Sequence, residues 1–211
     1  MKKIEIKPII TTIILIAFQS ALYLISRLFE SNLHLIGNTI DTKIPFNIWF
    51  MIPYCLWYIL IFIVPYYLYK KDKDSFIRYI YCYLICSVIA NIIFVIYPTT
   101  VNRPDVIVKG PLSFITNFIF TFDNPPMNCF PSLHCAMSML FILFIFEIKN
   151  IKPIIKISIT LISILIMIAT LYTKQHVFID LVSGDALAII VYFIIKKITH
   201  ENIKFKKMLE K

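Results

Sequence analysis

The chain has 211 residues, 59% hydrophobic and only 16% charged, with a mean hydropathy of +0.81, which is more apolar surface than a soluble domain of this length can hide. Its formal net charge of +9 sits between and beyond the apolar runs rather than on a basic face interleaved with exposed aromatics, which argues against nucleic acid and for membrane topology. No repeated ten-residue segments alternate at period 2, which argues against an outer-membrane barrel, and only 3 residues are glycine, which argues against a flexible low-complexity polymer.

A helix needs about 20 apolar residues to cross a hydrocarbon core of ~30 Å. Six runs approach or meet that length, so the expected fold is all-α, one polytopic six-transmembrane helix bundle forming a single domain, 1–211. The first span covers about 8–28, after "MKKIEIK"; it is long and lacks an A-x-A-like cleavage site, so it reads as an uncleaved helix. A polar stretch with Glu30, His34, Asp41 and Lys43 follows, with room for a short interfacial helix. The second span covers about 46–68, with Trp49 and Trp57 near its start and Pro53 and Pro65 as expected kinks. "YKKDKD" makes a charged turn into the third span, about 76–97.

The long interruption at 98–131 is rich in Pro, Asn, Asp and Thr and contains the short apolar piece "SFITNFIFTF". Loops of that size usually carry function, and this one reads as the active-site loop. The fourth span covers about 132–147, the fifth 154–171 and the sixth 176–195, with a basic tail after it. The 5 cysteines show neither a disulfide framework nor a paired CxxC zinc pattern; Cys55, Cys82 and Cys86 fall inside apolar runs, while Cys129 and Cys135 flank "FPSLH".

An even number of spans puts both ends on one side. That side holds Lys2, Lys3, Lys7, Lys70, Lys71, Lys73, Arg78, Lys149, Lys152, Lys156 and the tail lysines Lys196, Lys197, Lys204, Lys206, Lys207 and Lys211. The other side holds Arg27, Lys43, Arg103, Lys109 and Lys174. By the positive-inside rule both termini are expected in the cytoplasm of a cell-membrane protein. The long loop, "PSLH" and "TKQH" then share the extracytoplasmic face, where they can meet.

His176 and Asp180 are i, i+4, about 40° apart on a helix, so they share a face, with Ser183 one turn deeper. A carboxylate at that depth needs a partner, and pairing with the imidazole fixes its tautomer and stabilises positive charge on the ring, the orienting logic of a His nucleophile or base. Pro131 ends the loop and Ser132 is a plausible N-cap, leaving first-turn N–H groups suited to an anion, phosphate above all. His134 sits in that first turn, placed to protonate a leaving oxygen. Arg103 offers a planar donor fork for phosphate oxygens, and Pro104 fixes the turn after it. An anion cradle, an Arg clamp, an Asp-oriented His and a second His suit in-line phosphoryl transfer through a phosphohistidine.

"RP", "PSLH" and "H-x3-D", in that order across the last four spans, resemble the type 2 phosphatidic acid phosphatase superfamily of lipid phosphatases and phosphotransferases. The resemblance implies His176 as nucleophile, Asp180 as its orienting partner, His134 as general acid, and Arg103 and Ser132 as phosphate ligands. It implies a phospholipid or isoprenoid-lipid phosphate as substrate, bound from the bilayer, and no metal or other cofactor. Three positions depart from the superfamily pattern: Ile96 stands where a Lys precedes the Arg, Ala169 and Thr170 stand where Ser-Arg precedes the His, and Leu133 replaces the Gly of "PSGH". Lys174 and Lys109 are the candidates to replace the missing cations. "FPSLHCA" and "TKQHVFID" are more similar to the inositolphosphorylceramide-synthase-like branch, which transfers a phosphoalcohol head group between lipids.

Each piece alone has an ordinary reading. His-x3-Asp pairs are often structural, Pro-Ser is a frequent helix start, and Arg103 and Lys174 can anchor at lipid head groups. Asp185, nine residues past His176 on the opposite face, reads as bonded to another span such as the fifth or as lining a polar cavity. The rival from another class is a non-catalytic lipid transporter or scaffold that uses the same polar cluster as a head-group site. What favours the enzyme is the ordered combination on one side of the bilayer.

Overall fold

In hydrocarbon every backbone N–H and C=O must be satisfied within its own segment, so the Ile- and Leu-rich runs become helices. The computed structural model describes residues 5–29, 32–104 and 109–209, with side chains described through residue 200. Lys2, Lys3, Glu30 and Lys211 lie outside the described residues, as do the side chains of Lys204, Lys206 and Lys207. The elements are α1 (Ile6–Ser26, closed by a 3-10 turn, Arg27–Phe29), β1 (His34–Leu35), α2 (Thr39–Lys43), α3 (Met51–Lys71, preceded by a 3-10 turn, Ile48–Phe50) and α4 (Lys73–Ile96). After them come β2 (Thr99–Thr100), α5 (Ser113–Phe122), α6 (Leu133–Glu147), α7 (Pro153–Tyr172) and α8 (Phe178–Leu209).

Among the described residues, five stretches are helical, long and apolar enough to cross a membrane: Ile6–Phe29, Ile48–Lys71, Lys73–Ile96, Pro153–Tyr172 and Phe178–His200. Their outward faces carry exposed side chains such as Ile13, Ile63, Ile92, Leu161 and Ile190, as expected where lipid is the solvent. The shorter α6 has 15 residues, a rise of roughly 22 Å. It is apolar on all sides because it is the central helix, packed against α3, α4, α7 and α8. Leu140, Phe141, Phe144 and Ile145 are buried within it, and Tyr79, Tyr83, Val64, Ile166 and Ala188 complete the core around them.

Helix starts follow local chemistry. Asp72 caps α4 by accepting from the N–H groups of Asp74 and Ser75, and Asn38 and Asp41 form a reciprocal capping box on α2. Pro53 was expected to kink a span, but α3 begins at Met51, so Pro53 lies in the first turn, where N–H groups have no helical partner to lose; Pro65 is interior. The sixth expected span, 176–195, begins instead at Phe178 and its helix continues to Leu209, so much of the basic tail is helical and His176 precedes the helix.

The two ends of the bundle differ. At one, Glu147 of α6 accepts from Ser75 and Arg78 of α4 and from Tyr192 of α8, with Lys196 3.1 Å away. At the other, β1 and β2 pair in parallel, His34 with Thr99 and Leu35 with Thr100, tying the α1–α3 connection to the segment after α4. All the sequence-predicted site residues lie at this second end.

Candidate active site

The mouth of α6 is built against the start of α8. Ser132 is fully buried; its Oγ accepts from the Cys135 N–H at 3.3 Å, making it the N-cap, and its own N–H donates to the Asp180 carbonyl at 3.1 Å. The backbones approach this closely because residue 184 is glycine: a Cβ there would stand 2.3 Å from the Ser132 carbonyl oxygen. Ser132 and Asp180, far apart in sequence, are thereby locked together.

His176 lies in the turn between α7 and α8, its N–H donating to the Thr170 carbonyl together with that of Gln175. The helical i, i+4 geometry expected for His176 and Asp180 is therefore not how they meet. Asp180 is the third residue of α8, and its Oδ2 folds back to accept from the Val177 N–H at 3.0 Å while standing 3.2 Å from His176 Nδ1. A carboxylate only accepts, so Nδ1 carries the proton and Nε2 presents a lone pair. Asp180 is fully buried, and its Oδ1 has no hydrogen-bond partner.

His134, second residue of α6, is held by the aromatic start of α3: its ring lies 5.0 Å from Tyr54, 4.6 Å from Trp57 and 6.5 Å from Tyr58. Its ring centroid is 6.0 Å from that of His176, and its Nε2 is buried without a partner.

Arg103 is brought to the same end by the segment after β2, and its guanidinium is heavily engaged. Nε donates to the Lys174 carbonyl at 3.2 Å, Nη1 to the Asp123 carbonyl at 2.9 Å, and Nη2 to both the Asp123 carboxylate and Gln175 Oε1. Phe120 of α5 lies beneath it, 5.4 Å from Cζ to ring centroid. The open fork expected from sequence is thus mostly closed: of five N–H groups, one remains.

Lys174 stands in the turn with a φ of 56°, and its ammonium donates to the carbonyls of Asp41 and Ile44. It clamps the segment around α2 over the α7–α8 turn. Asp41 reinforces the clamp, its Oδ1 accepting from the Phe178 N–H at 2.7 Å. The aspartate thereby caps α8 from another part of the chain.

Between this segment, residues 101–104 and the α7–α8 turn lies a cavity of about 700 Å³, a size typical of small-molecule sites. Arg103, Lys174 and His176 are in its wall; His134 and Ser132 are not, and lie deeper, at the mouth of α6. Lys109 is exposed and also outside the wall. Ile96 is 76% exposed at the end of α4, and Thr170 is buried with its hydroxyl bonded to the Met167 carbonyl, so no cation replaces the missing Lys and Arg at those positions. Asp185 Oδ1 is buried and unpartnered, and the residue takes no part in the cavity. Among the described residues no three His, Cys, Asp or Glu side chains gather to hold a metal ion.

Sequence reasoning missed Asp123, Gln175, Asp41 as a cap, the aromatic box around His134, and Gly184. Of these only Gly184 left a signal, as a glycine inside an apolar helical run of a glycine-poor chain. A family model described as the PAP2 superfamily matches residues 20–194. No curated protein and no solved structure matches the chain.

Proposed function

The chain belongs to the PAP2 superfamily, and from that premise we propose that it is a membrane enzyme cleaving a lipid phosphoester through a phosphohistidine. His176 Nε2 attacks phosphorus, forming the N–P bond as the bond to the leaving alkoxide breaks. His134 protonates that alkoxide, and Asp180 stabilises the imidazolium. Water or a lipid alcohol then attacks phosphorus, the N–P bond breaks, and the acceptor's proton passes to His134. The remaining Arg103 N–H, Ser132 with the first-turn N–H groups of α6, and the last Lys174 N–H are the phosphate ligands. No metal takes part in this scheme.

One observation carries the reading: the two imidazoles stand 6.0 Å apart, centroid to centroid, one of them against a buried carboxylate. Rings this close can both reach one phosphoryl group, one at phosphorus and the other at the leaving oxygen. The substrate is a phospholipid or isoprenoid-lipid phosphate, and the motif style of "FPSLHCA" and "TKQHVFID" favours the inositolphosphorylceramide-synthase-like branch, with the phospho head group passed to a lipid alcohol. In this reading α6 also crosses, as the fourth of six spans, both termini are cytoplasmic by their lysines, and the site faces the extracytoplasmic leaflet of the cell membrane.

The test is product analysis of purified protein over a panel of phospholipids and an isoprenoid phosphate, with and without an added lipid alcohol. Released inorganic phosphate from a monoester, or released water-soluble phosphoalcohol from a diester, marks hydrolysis, and a new phospholipid marks transfer. His176→Gln is expected to abolish either while lipid still binds. Undiminished turnover in His176→Gln overturns the mechanism, and lipid transport without turnover favours a transporter.

A further inference from the structure

Asp123 closes α5, and its carboxylate faces Arg103 at the cavity wall. One oxygen accepts from Arg103 Nη2; the other accepts from the Tyr23 hydroxyl and lies 3.4 Å from Arg27 Nη1. Its backbone carbonyl takes a second Arg103 N–H. The cation in the wall nearest to being a phosphate clamp is therefore neutralised by a carboxylate that α1 holds in place, and one guanidinium N–H is left to reach a ligand. The remaining cation of the wall, Lys174, has given two of its three N–H groups to backbone carbonyls.

Little unpaired cationic charge is left at this wall: Arg103 and Arg27 share the Asp123 carboxylate, and Lys174 donates to the carbonyl of Asp41, whose own carboxylate caps α8. A phosphate monoester carries about −1.5 to −2 at pH 7, since its second pKa is about 6, whereas a diester carries a single negative charge. In a partly buried site each further unpaired charge is penalised steeply.

Resting on the lipid-phosphoester reading of this site, we propose that Asp123 sets the charge class of the substrate. By occupying Arg103 it confines the site to a singly charged phosphate group, a lipid phosphodiester, and excludes the doubly charged monoester. Asp123 acts through Arg103 and so is a positioning residue that determines specificity.

The experiment uses the full chain in mixed micelles with two lipids of identical acyl chains, phosphatidic acid and phosphatidylglycerol, and a long-chain alcohol as acceptor. Both release diacylglycerol, so the leaving group is the same. The two differ in the charge on phosphorus and in the glycerol head group, and the head-group difference is the same for wild type and variant, so a change in their ratio on substitution at Asp123 reads the charge. At pH 8 the wild type is expected to favour the diester in kcat/KM, and Asp123→Asn to shift that ratio toward the monoester by about tenfold or more, the scale of one unit charge a few ångströms away. Tyr23→Phe, which removes a hydrogen bond to the same carboxylate but no charge, is expected to leave the ratio in place. Between pH 8 and 5.5 the wild-type rate on phosphatidic acid is expected to rise relative to phosphatidylglycerol as the monoester takes up its second proton, and Asp123→Asn to flatten that rise.

A wild type that prefers the dianion at pH 8, or an unmoved ratio in Asp123→Asn, overturns the proposal. Should Asp123→Asn not fold, the wild-type pH profile decides alone, a flat ratio overturning it. Release from both lipids with an unmoved ratio strikes only the role given to Asp123. No release from either lipid strikes the lipid-phosphoester reading, and the proposal falls with it.

Discussion

Gly184 of α8 lies against the Ser132 carbonyl of α6 so closely that a Cβ at 184 would stand 2.3 Å from that oxygen and 3.2 Å from the Ala136 nitrogen. Both neighbours are backbone atoms of the helix that carries His134, and neither can swing aside. On an isolated helix Gly184→Ala would be stabilising by up to about 1 kcal/mol. Here overpacking outweighs that gain, with a cost of about 1–3 kcal/mol. Thermal unfolding in detergent is expected to show a lower Tm, and turnover is expected to fall as His134 and His176 move apart.

Asp180→Asn preserves the shape of the side chain and can still accept from the Val177 N–H. It removes the negative charge that His176 Nδ1 faces at 3.2 Å. Turnover is expected to fall about 10²–10⁴-fold, the range of a general acid–base contribution, while the Tm changes little. A loss in kcat that is matched by a collapse in Tm would mark Asp180 as merely structural.

Lys174→Met keeps the aliphatic stem and removes the ammonium that donates to the carbonyls of Asp41 and Ile44. Two carbonyls then lose a charged donor, and a hydrogen bond of that kind contributes about 1.5–3 kcal/mol. The expected result is a lower Tm without substrate together with a raised KM. A change in KM alone would assign Lys174 to the substrate rather than to the α2 segment.

Cys129 is 1% exposed, in the loop that enters α6 and packed with Val101 and Val177. Burial pushes its thiol well above the ordinary range, helped by the negative charge of Asp180. It is therefore expected to resist alkylation at pH 7.5 in the folded protein and to label fully once denatured, as read by mass spectrometry. The sign for stability follows. Above about pH 8.5 the unfolded chain gives up a thiol proton that the folded chain keeps, so unfolding becomes easier as pH rises. Cys129→Ala is expected to reduce the fall in Tm between pH 8 and 10.

How far the site could be read in advance differs residue by residue. Ser132 as a cap was legible because capping is local chemistry: a Pro-Ser step before an apolar run needs only the next three residues. The His176–Asp180 contact was legible as a pair but not in its geometry. Spacing of four suggests a shared helical face, whereas the helix starts two residues later and Asp180 reaches back to its mouth. The pairing of Arg103 with Asp123 left no trace, since "TFDNPP" looks like any turn and the partner is twenty residues away across a fold-dependent gap.

By itself the sequence determined what hydrophobicity and short-range hydrogen bonding determine: an all-helical chain in lipid, the places where helices start, and a polar set too costly to place in a membrane without partners. Tertiary structure alone decided how that set is used. Which N–H groups of Arg103 and Lys174 stay available, how near the two imidazoles stand, and how closely α8 can lie on α6 are distances between segments remote in the chain. Such distances follow from packing around a central helix, where one absent methyl group at Gly184 sets the approach of two backbones.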